Sequence, residues 1–148
     1  MKSDLNDNVA YLLNSTTNAL NTYMQRVLLE NEIDVPLEQL KLLMFLSFHP
    51  GVNQQVVCDE MNKTKPGISR LMDSLEQKGL IERREDPLDR RNKINSITDL
   101  GHQTKAKFYP IGIGNLRNIE NELGAETSAE FKKHLIAIKE IILNKLNK

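Results

Sequence analysis

The stretch from Asn53 to Gly101, NQQVVCDEMNKTKPGISRLMDSLEQKGLIERREDPLDRRNKINSITDLG, decides the fold. It divides into a short helix, a turn, a longer amphipathic helix that stops at Gly79, and two strands joined by a charged loop. At about 100° of rotation per residue, Ile68, Leu71, Met72 and Leu75 fall in one narrow stripe, with Pro66, Ser69, Arg70, Asp73 and Gln77 opposite. One face packs and the other is free to read a partner. Lys63, Thr64 and Lys65 bring cationic side chains to the amino end of this helix, beside backbone N–H groups that have no helical acceptor, and both features attract phosphate. Thr64 suits the N-cap. Pro66 suits the first turn, where a missing N–H costs nothing, and Gly79 supplies the stop.

After the stop, Leu80 to Arg84 predicts one strand and Lys93 to Thr98 a second, with Ile94 and Ile97 as the apolar residues of the latter. Between them Asp86-Pro87 favours a turn, and Arg90 and Arg91 stand at or near the tip of the hairpin. A protruding loop tipped with arginine suits an A·T-rich minor groove, whose narrowness concentrates negative potential. The stretch therefore predicts a helix-turn-helix with a wing.

A chain of 148 residues, 39% hydrophobic and 27% charged, is long enough for one domain with its own core. The expected class is mainly α with a small β-hairpin wing. No amino-terminal apolar region and no long apolar run appear, so neither a signal peptide nor a membrane span is expected. The single Cys58 has no partner for an intramolecular disulfide, which fits a cytoplasmic setting. The formal net charge of +0 conceals a polarity: Lys63 to Lys93 holds nine Lys or Arg against six Asp or Glu, leaving the remainder at −3. That modest asymmetry is compatible with a DNA face on one side of a neutral or acidic body.

Outside the central stretch, Val9, Leu12, Leu13, Thr16, Leu20, Tyr23, Met24, Val27 and Leu28 follow the spacing of an amphipathic helix of several turns. Asn31 to Val35 is a polar break, Pro36 opens the next helix, and Leu37 to about Phe48 is apolar on most sides, as befits a central element. Pro50-Gly51 closes it. Thr98 or Asp99 can cap a further helix, with a bend expected near Pro110. Thr127-Ser128-Ala129-Glu130 has the form of a capping box, followed by Phe131, Leu135, Ile138 and Ile142 on one stripe. The ends carry more apolar surface than one small domain needs, and pairing with a second copy is its expected use. A two-fold dimer would repeat the reading helix one turn of duplex away.

Asn53-Gln54, Val57-Cys58, Pro66, Ser69-Arg70-Leu71, Leu75-Glu76, Lys78-Gly79-Leu80-Ile81, Arg83, Asp86-Pro87, Asp89-Arg90-Arg91 and Ile97-Thr98-x-x-Gly101 together resemble the MarR family, the multiple-antibiotic-resistance-type transcriptional regulators. The close match covers about a third of the chain, and the flanking helices agree in number and order. The resemblance implies a homodimer held by its terminal helices. A winged lobe over 35–101 would bind DNA, with dimerisation helices over 1–34 and 102–148 of one domain. It also implies release from DNA by a small aromatic or amphipathic effector, and in many relatives repression. Carried over by position, the DNA contacts are Thr64, Lys65, Pro66, Gly67, Ser69 and Arg70, with Asp89 orienting Arg91 in the wing. Asn53, Gln54, Lys63, Arg84 and Arg90 complete the expected DNA-binding set. The alternative is a winged helix that docks a protein through the same face.

Other chemistries find no footing in the sequence. Cys58 sits beside Val57 at the small apolar position of a packed helix, where a thiol is inert. His49, His102 and His134 are scattered and lack ligand spacing, so no metal or other cofactor is expected. Asp86 and Asp89 on a solvated loop have no burial to separate their pKa values, and no nucleophile accompanies them. Tyr11, Tyr23, Phe45, Phe48, His49 and Phe108 lie on helices that would border an effector cavity, but each reads equally as core or interface.

Overall fold

The structure, a computed structural model, describes residues 7–87 and 93–147. In chain order the elements are α1 Val9–Glu30, α2 Leu37–Phe48, α3 Gln54–Met61, α4 Lys65–Gln77, β1 Ile81–Glu85, β2 Lys93–Ile97, α5 Asp99–Leu123 and α6 Ala125–Leu146. The two strands form one antiparallel hairpin, in register from Ile81 opposite Ile97 to Glu85 opposite Lys93. The chain divides into two compact units, 1–109 and 110–148.

The core lies in the first unit and is centred on α2, which buries Leu37, Leu40, Leu42, Leu43 and Leu46. No single stripe of that helix is polar enough to face water throughout, so neighbours surround it. Helix α1 packs on it only through its last two turns, where Met24, Val27 and Leu28 are buried. From α4 come Ile68, Met72 and Leu75, from α3 Val57 and Cys58, and from the wing root Leu80 and Ile81. Burying each large apolar side chain contributes roughly 1.5–3 kcal/mol, so this layer of leucines is what holds the lobe together.

The ends of α4 are set by local chemistry. The Thr64 hydroxyl accepts the Gly67 N–H at 3.3 Å. At the other end the Gly79 N–H donates to the Glu76 carbonyl and the Leu80 N–H to the Leu75 carbonyl, both at 2.9 Å. That six-to-one closure needs a left-handed residue, and Gly79 adopts φ 69°. Leu80 is consequently the last residue of the cap, and β1 begins one residue later than the strand expected from Leu80.

A second constraint meets the first at this point. The Thr98 hydroxyl donates to the Gly79 carbonyl and accepts the Gly101 N–H, and the Thr98 N–H donates to the Leu80 carbonyl. Thr98 is thus the cap of α5, not the last residue of β2. Gly101 lies so close beneath that a Cβ there would meet the Leu80 carbonyl oxygen at 2.2 Å and Ile97 Cγ2 at 2.6 Å. The Ile97-Thr98-x-x-Gly101 pattern is a hydroxyl cap followed by a contact that only hydrogen can fill.

One further expectation needs correction. Helix α6 starts at Ala125, with Gly124 at φ 89° as its N-cap, so Thr127 and Ser128 lie inside the first turn and form no capping box. The chain turns at the glycine, before the Thr-Ser pair is reached. In the hairpin, Ile94 pairs with Arg84 and Ile97 with Ile81, both isoleucines of β2 being half-buried, while Asn95, opposite Arg83, is buried. The inner face of the wing therefore changes from apolar at Ile81 and Ile97 to polar at Arg83 and Asn95. Helix α5 continues through Pro110 without interruption.

Gly101→Ala tests the joint. The added methyl must displace backbone, and the expected loss is about 1–3 kcal/mol in a urea titration, despite alanine's better helix propensity. An unchanged midpoint would show that the contact yields freely.

Candidate nucleic-acid interface

The exposed side of α4 carries Lys65, Pro66 and Arg70, with Ser69 half-buried at its edge. Among the described residues, the side chains of Lys65 and Arg70 have no ion-pair or hydrogen-bond partner. Their charge is available, and the uncapped N–H groups of the first turn point the same way along the helix axis. Gly67 contributes backbone alone, since its N–H is used by the Thr64 cap. The opposite stripe is buried as expected for Ile68, Met72 and Leu75, with Leu71 half-buried.

The expected contacts at the start of α3 have structural duties. The Asn53 side chain caps α3 by accepting the Val56 N–H at 3.0 Å. Gln54 donates to the Lys65 carbonyl at 3.3 Å, tying the first turn of α3 to the first turn of α4. Both keep the two helices in fixed relation. Gln39 adds a second tie, donating to the Ser74 hydroxyl at 2.8 Å from α2.

Charge counting along the sequence over-credits this face. Lys63 is ion-paired to Glu38 at 3.0 Å, and Arg84, though its side chain is 77% exposed, pairs with Glu82 at 2.8 Å on its own strand. Arg83 is the largest departure. Its guanidinium reaches from β1 to Glu76 through Nε at 2.9 Å and to Asp73 through Nη2, with only 15% of the side chain exposed. Asp73, expected on the reading face, is thereby turned into a strut between α4 and the wing. Asp73 and Glu76 are three residues apart, so on a helix they share one side and can grip one planar cation. The spacing was legible in the sequence, but the cross-strand turn that brings Arg83 back over it was not. Asp89, Arg90 and Arg91 lie outside the described residues.

The electrostatics of the strut follow from this geometry. The bond from Arg83 holds the Glu76 carboxyl below its ordinary value of 4.5, against an opposing effect of burial. Glu76, and then Asp73, raise Arg83 above the ordinary arginine value, so it is a permanent cation. At the other end of α4, Lys41 first and Lys63 next hold Glu38 low, again against burial.

The remaining candidate chemistry is sparse. Cys58 is buried, and among the described residues no three His, Cys, Asp or Glu side chains converge on a point that would hold a metal. Of the aromatic residues, Phe45 stacks on His49 at 4.4 Å, and Phe48 lies 6.2 Å from Tyr109 with the Lys105 ammonium 4.3 Å above its ring. No helix is long and apolar enough to cross a membrane among the described residues.

Comparison with known proteins places this geometry. A family model described as the MarR family matches residues 33–92, which run from the α1–α2 turn to the residue before β2. The transcriptional regulator HosA of Escherichia coli O111:H- is 27% identical over 97 residues, covering 61% of this chain and 72% of the relative. Among solved structures, the Staphylococcus aureus MepR–DNA complex superposes with a TM-score of 0.82 at 24% identity, over 90% of this chain and 97% of that one. The transcriptional repressor CouR bound to a 23-mer duplex gives 0.83 at 22% identity, over 94% and 97%. CouR of Rhodococcus jostii RHA1 bound to p-coumaroyl-CoA gives 0.72 at 24% identity, over 90% and 93%. These likenesses show that the winged arrangement extends over nearly the whole chain.

Glu76→Gln tests the strut. A carboxyl with a lowered folded-state pKa contributes stability that is full above its ordinary value and is lost as pH falls through the lowered one. The variant is expected to unfold at lower temperature than the parent near pH 7. The gap should begin to close as pH falls below 4.5 and be gone once pH has passed through the lowered value at which the folded parent's Glu76 protonates. A gap that stays constant down to pH 3 would mean that the charge of Glu76 is not what matters.

Proposed function

We propose that the chain is a member of the MarR family, whose model matches residues 33–92, and that it is a DNA-binding transcriptional regulator acting as a homodimer on a pseudo-palindromic duplex site. The observation that carries this reading is the pairing of an exposed, unpartnered Lys65–Arg70 face on α4 with a wing strutted rigidly to that same helix by Arg83. A recognition helix in the major groove and a wing in the adjacent minor groove both need a fixed mutual angle, and the strut supplies it. Repression is the favoured mode of action, and the cytoplasm the setting. Catalysis is not part of the reading.

Thr64, Lys65, Pro66, Gly67, Ser69 and Arg70 are proposed to face the major groove, with Asp89, Arg90 and Arg91 at the wing. Arg84, lightly held by its neighbour Glu82, can turn to a phosphate. Phosphate contacts supply most of the affinity, and the few base-facing residues supply selectivity. Asn53 and Gln54 act as positioning residues, through the caps and ties that they form. The proposed organisation is one MarR-like domain, with 35–101 as the DNA-binding lobe and 1–34 and 102–148 as dimerisation helices.

Dimerisation is supported by what the ends leave uncovered. In α1, Val9, Tyr11 and Leu12 are about half exposed, and in α6 so are Phe131, Ile136, Ile141, Ile142 and Leu143. Exposed apolar surface of this kind on each helix marks an interaction face. A second copy of the same helices covers like with like, and spaces the two α4 helices by about 10–10.5 base pairs. A small aromatic or amphipathic effector is the proposed means of release, and the ring cluster of Phe48 and Tyr109 is chemically suited to such a molecule.

Arg70→Ala is expected to cost about 1–3 kcal/mol on the preferred duplex and less on random DNA in an anisotropy titration. Equal losses on both would leave Arg70 a positioning contact only. For Arg91→Ala, weaker binding with a salt dependence flattened by about one phosphate is expected, and an unchanged slope would remove the wing from the reading. A protein that stays monomeric in light scattering, or binds no duplex at low salt, would overturn the proposed function itself.

A further inference from the structure

One polar network in the first unit is not used by the fold's main constraints. Glu38, in the first turn of α2, accepts Lys41 Nζ on one oxygen at 2.9 Å and Lys63 Nζ on the other at 3.0 Å. Lys41 also donates to the Asn21 side chain of α1 at 2.9 Å. Lys63 immediately precedes the Thr64 cap, so its ammonium belongs to the amino end of the recognition helix, where phosphate is attracted. Its side chain is only 34% exposed and Glu38 is 42% exposed, so the pair lies at the surface and can open.

We propose, on the footing of the DNA-binding reading, that Glu38 is an internal competitor for DNA. Its carboxylate occupies the Lys63 ammonium in the free protein and must surrender it to a phosphate on binding. Glu38 thereby lowers the affinity of the complex without changing the number of its phosphate contacts. The two lysines keep Glu38 ionised throughout the neutral range, so the competitor is always present. Its placement in the first turn of α2 adds a favourable interaction with the helix dipole, which gives the anion a reason to remain there when Lys63 leaves. An exposed pair of this kind is worth little, about 0.2–1 kcal/mol, and this makes it adjustable: phosphate can break it without unfolding anything.

The test is a set of four proteins, the parent, Glu38→Gln, Lys63→Met and the double variant, titrated by anisotropy against a labelled duplex selected by the parent from a random pool. Glu38→Gln is expected to bind about two- to fivefold more tightly. Its plot of log affinity against log salt should run parallel to the parent's, because Lys63 meets the same phosphate in both complexes. The gain in affinity should not appear when Lys63 is already methionine. A gain that survives in the Lys63→Met background would come from Lys41 or the general field and would overturn the proposal. So would unchanged or weaker binding by Glu38→Gln, the latter because Glu38 would then hold Lys63 in place for DNA. If the parent binds no duplex at all, it is the DNA-binding reading that fails. Circular dichroism of each variant controls for folding, and Glu38→Thr carries the same expectations should Glu38→Gln not fold.

Discussion

Everything in the lobe depends on the close approach of backbone at Gly79-Leu80 to the start of α5. There the recognition helix ends, the wing begins, and the long carboxy-terminal helix departs, all within one set of hydrogen bonds centred on the Thr98 hydroxyl. Two glycines make this possible for different reasons. Gly79 supplies a left-handed backbone, and Gly101 supplies the absence of a side chain against the Leu80 carbonyl. Apolar burial holds the lobe together, but this joint decides the directions in which its parts point.

The Arg83 strut is the second fixed distance. A two-stranded hairpin is only marginally stable by itself and would swing on its root. Ile81 anchors it in the core, with the half-buried Ile97 paired opposite, and two residues farther out the inner face becomes polar, where Arg83 grips two carboxylates of α4. The charge of this arginine is consumed within the protein. The positive field offered to a nucleic acid therefore comes from fewer side chains than the sequence contains, chiefly Lys65 and Arg70 among the described residues. Selectivity then rests on a small number of groups held at a fixed angle.

Much of this could be read from the chain. The caps at Thr64 and Gly79, the apolar stripe of α4, the all-round burial of α2 and the hairpin after Gly79 all follow from local rules, because local chemistry alone fixes them. What could not be read is non-local. Asp73 has the spacing of a surface residue and becomes a strut only because β1 folds back over it. Lys63 reads as an unpaired cation until α2 brings Glu38 beside it. The polar inner face formed by Arg83 and Asn95 could not be read from hydrophobicity, because the pairing of β2 with β1 sets it. The capping box at Thr127 failed for a different reason: Gly124 had already turned the chain. The expected wing-tip residues fall outside what the structure describes.

The cap at Gly79 also limits how proteins with this lobe can diverge. Only three residues, Lys78, Gly79 and Leu80, separate the last turn of α4 from the first residue of β1. Lengthening α4 by one position would rotate the hairpin's point of departure by about 100° around the helix axis. Arg83 would swing away from both its carboxylates, and the joint with α5 would open. Insertions and deletions are therefore forbidden at this hinge of the lobe, while substitutions at the exposed Lys65 and Arg70 of α4 disturb no packing. New operator preferences are accordingly open to single-residue replacement on a register that cannot drift.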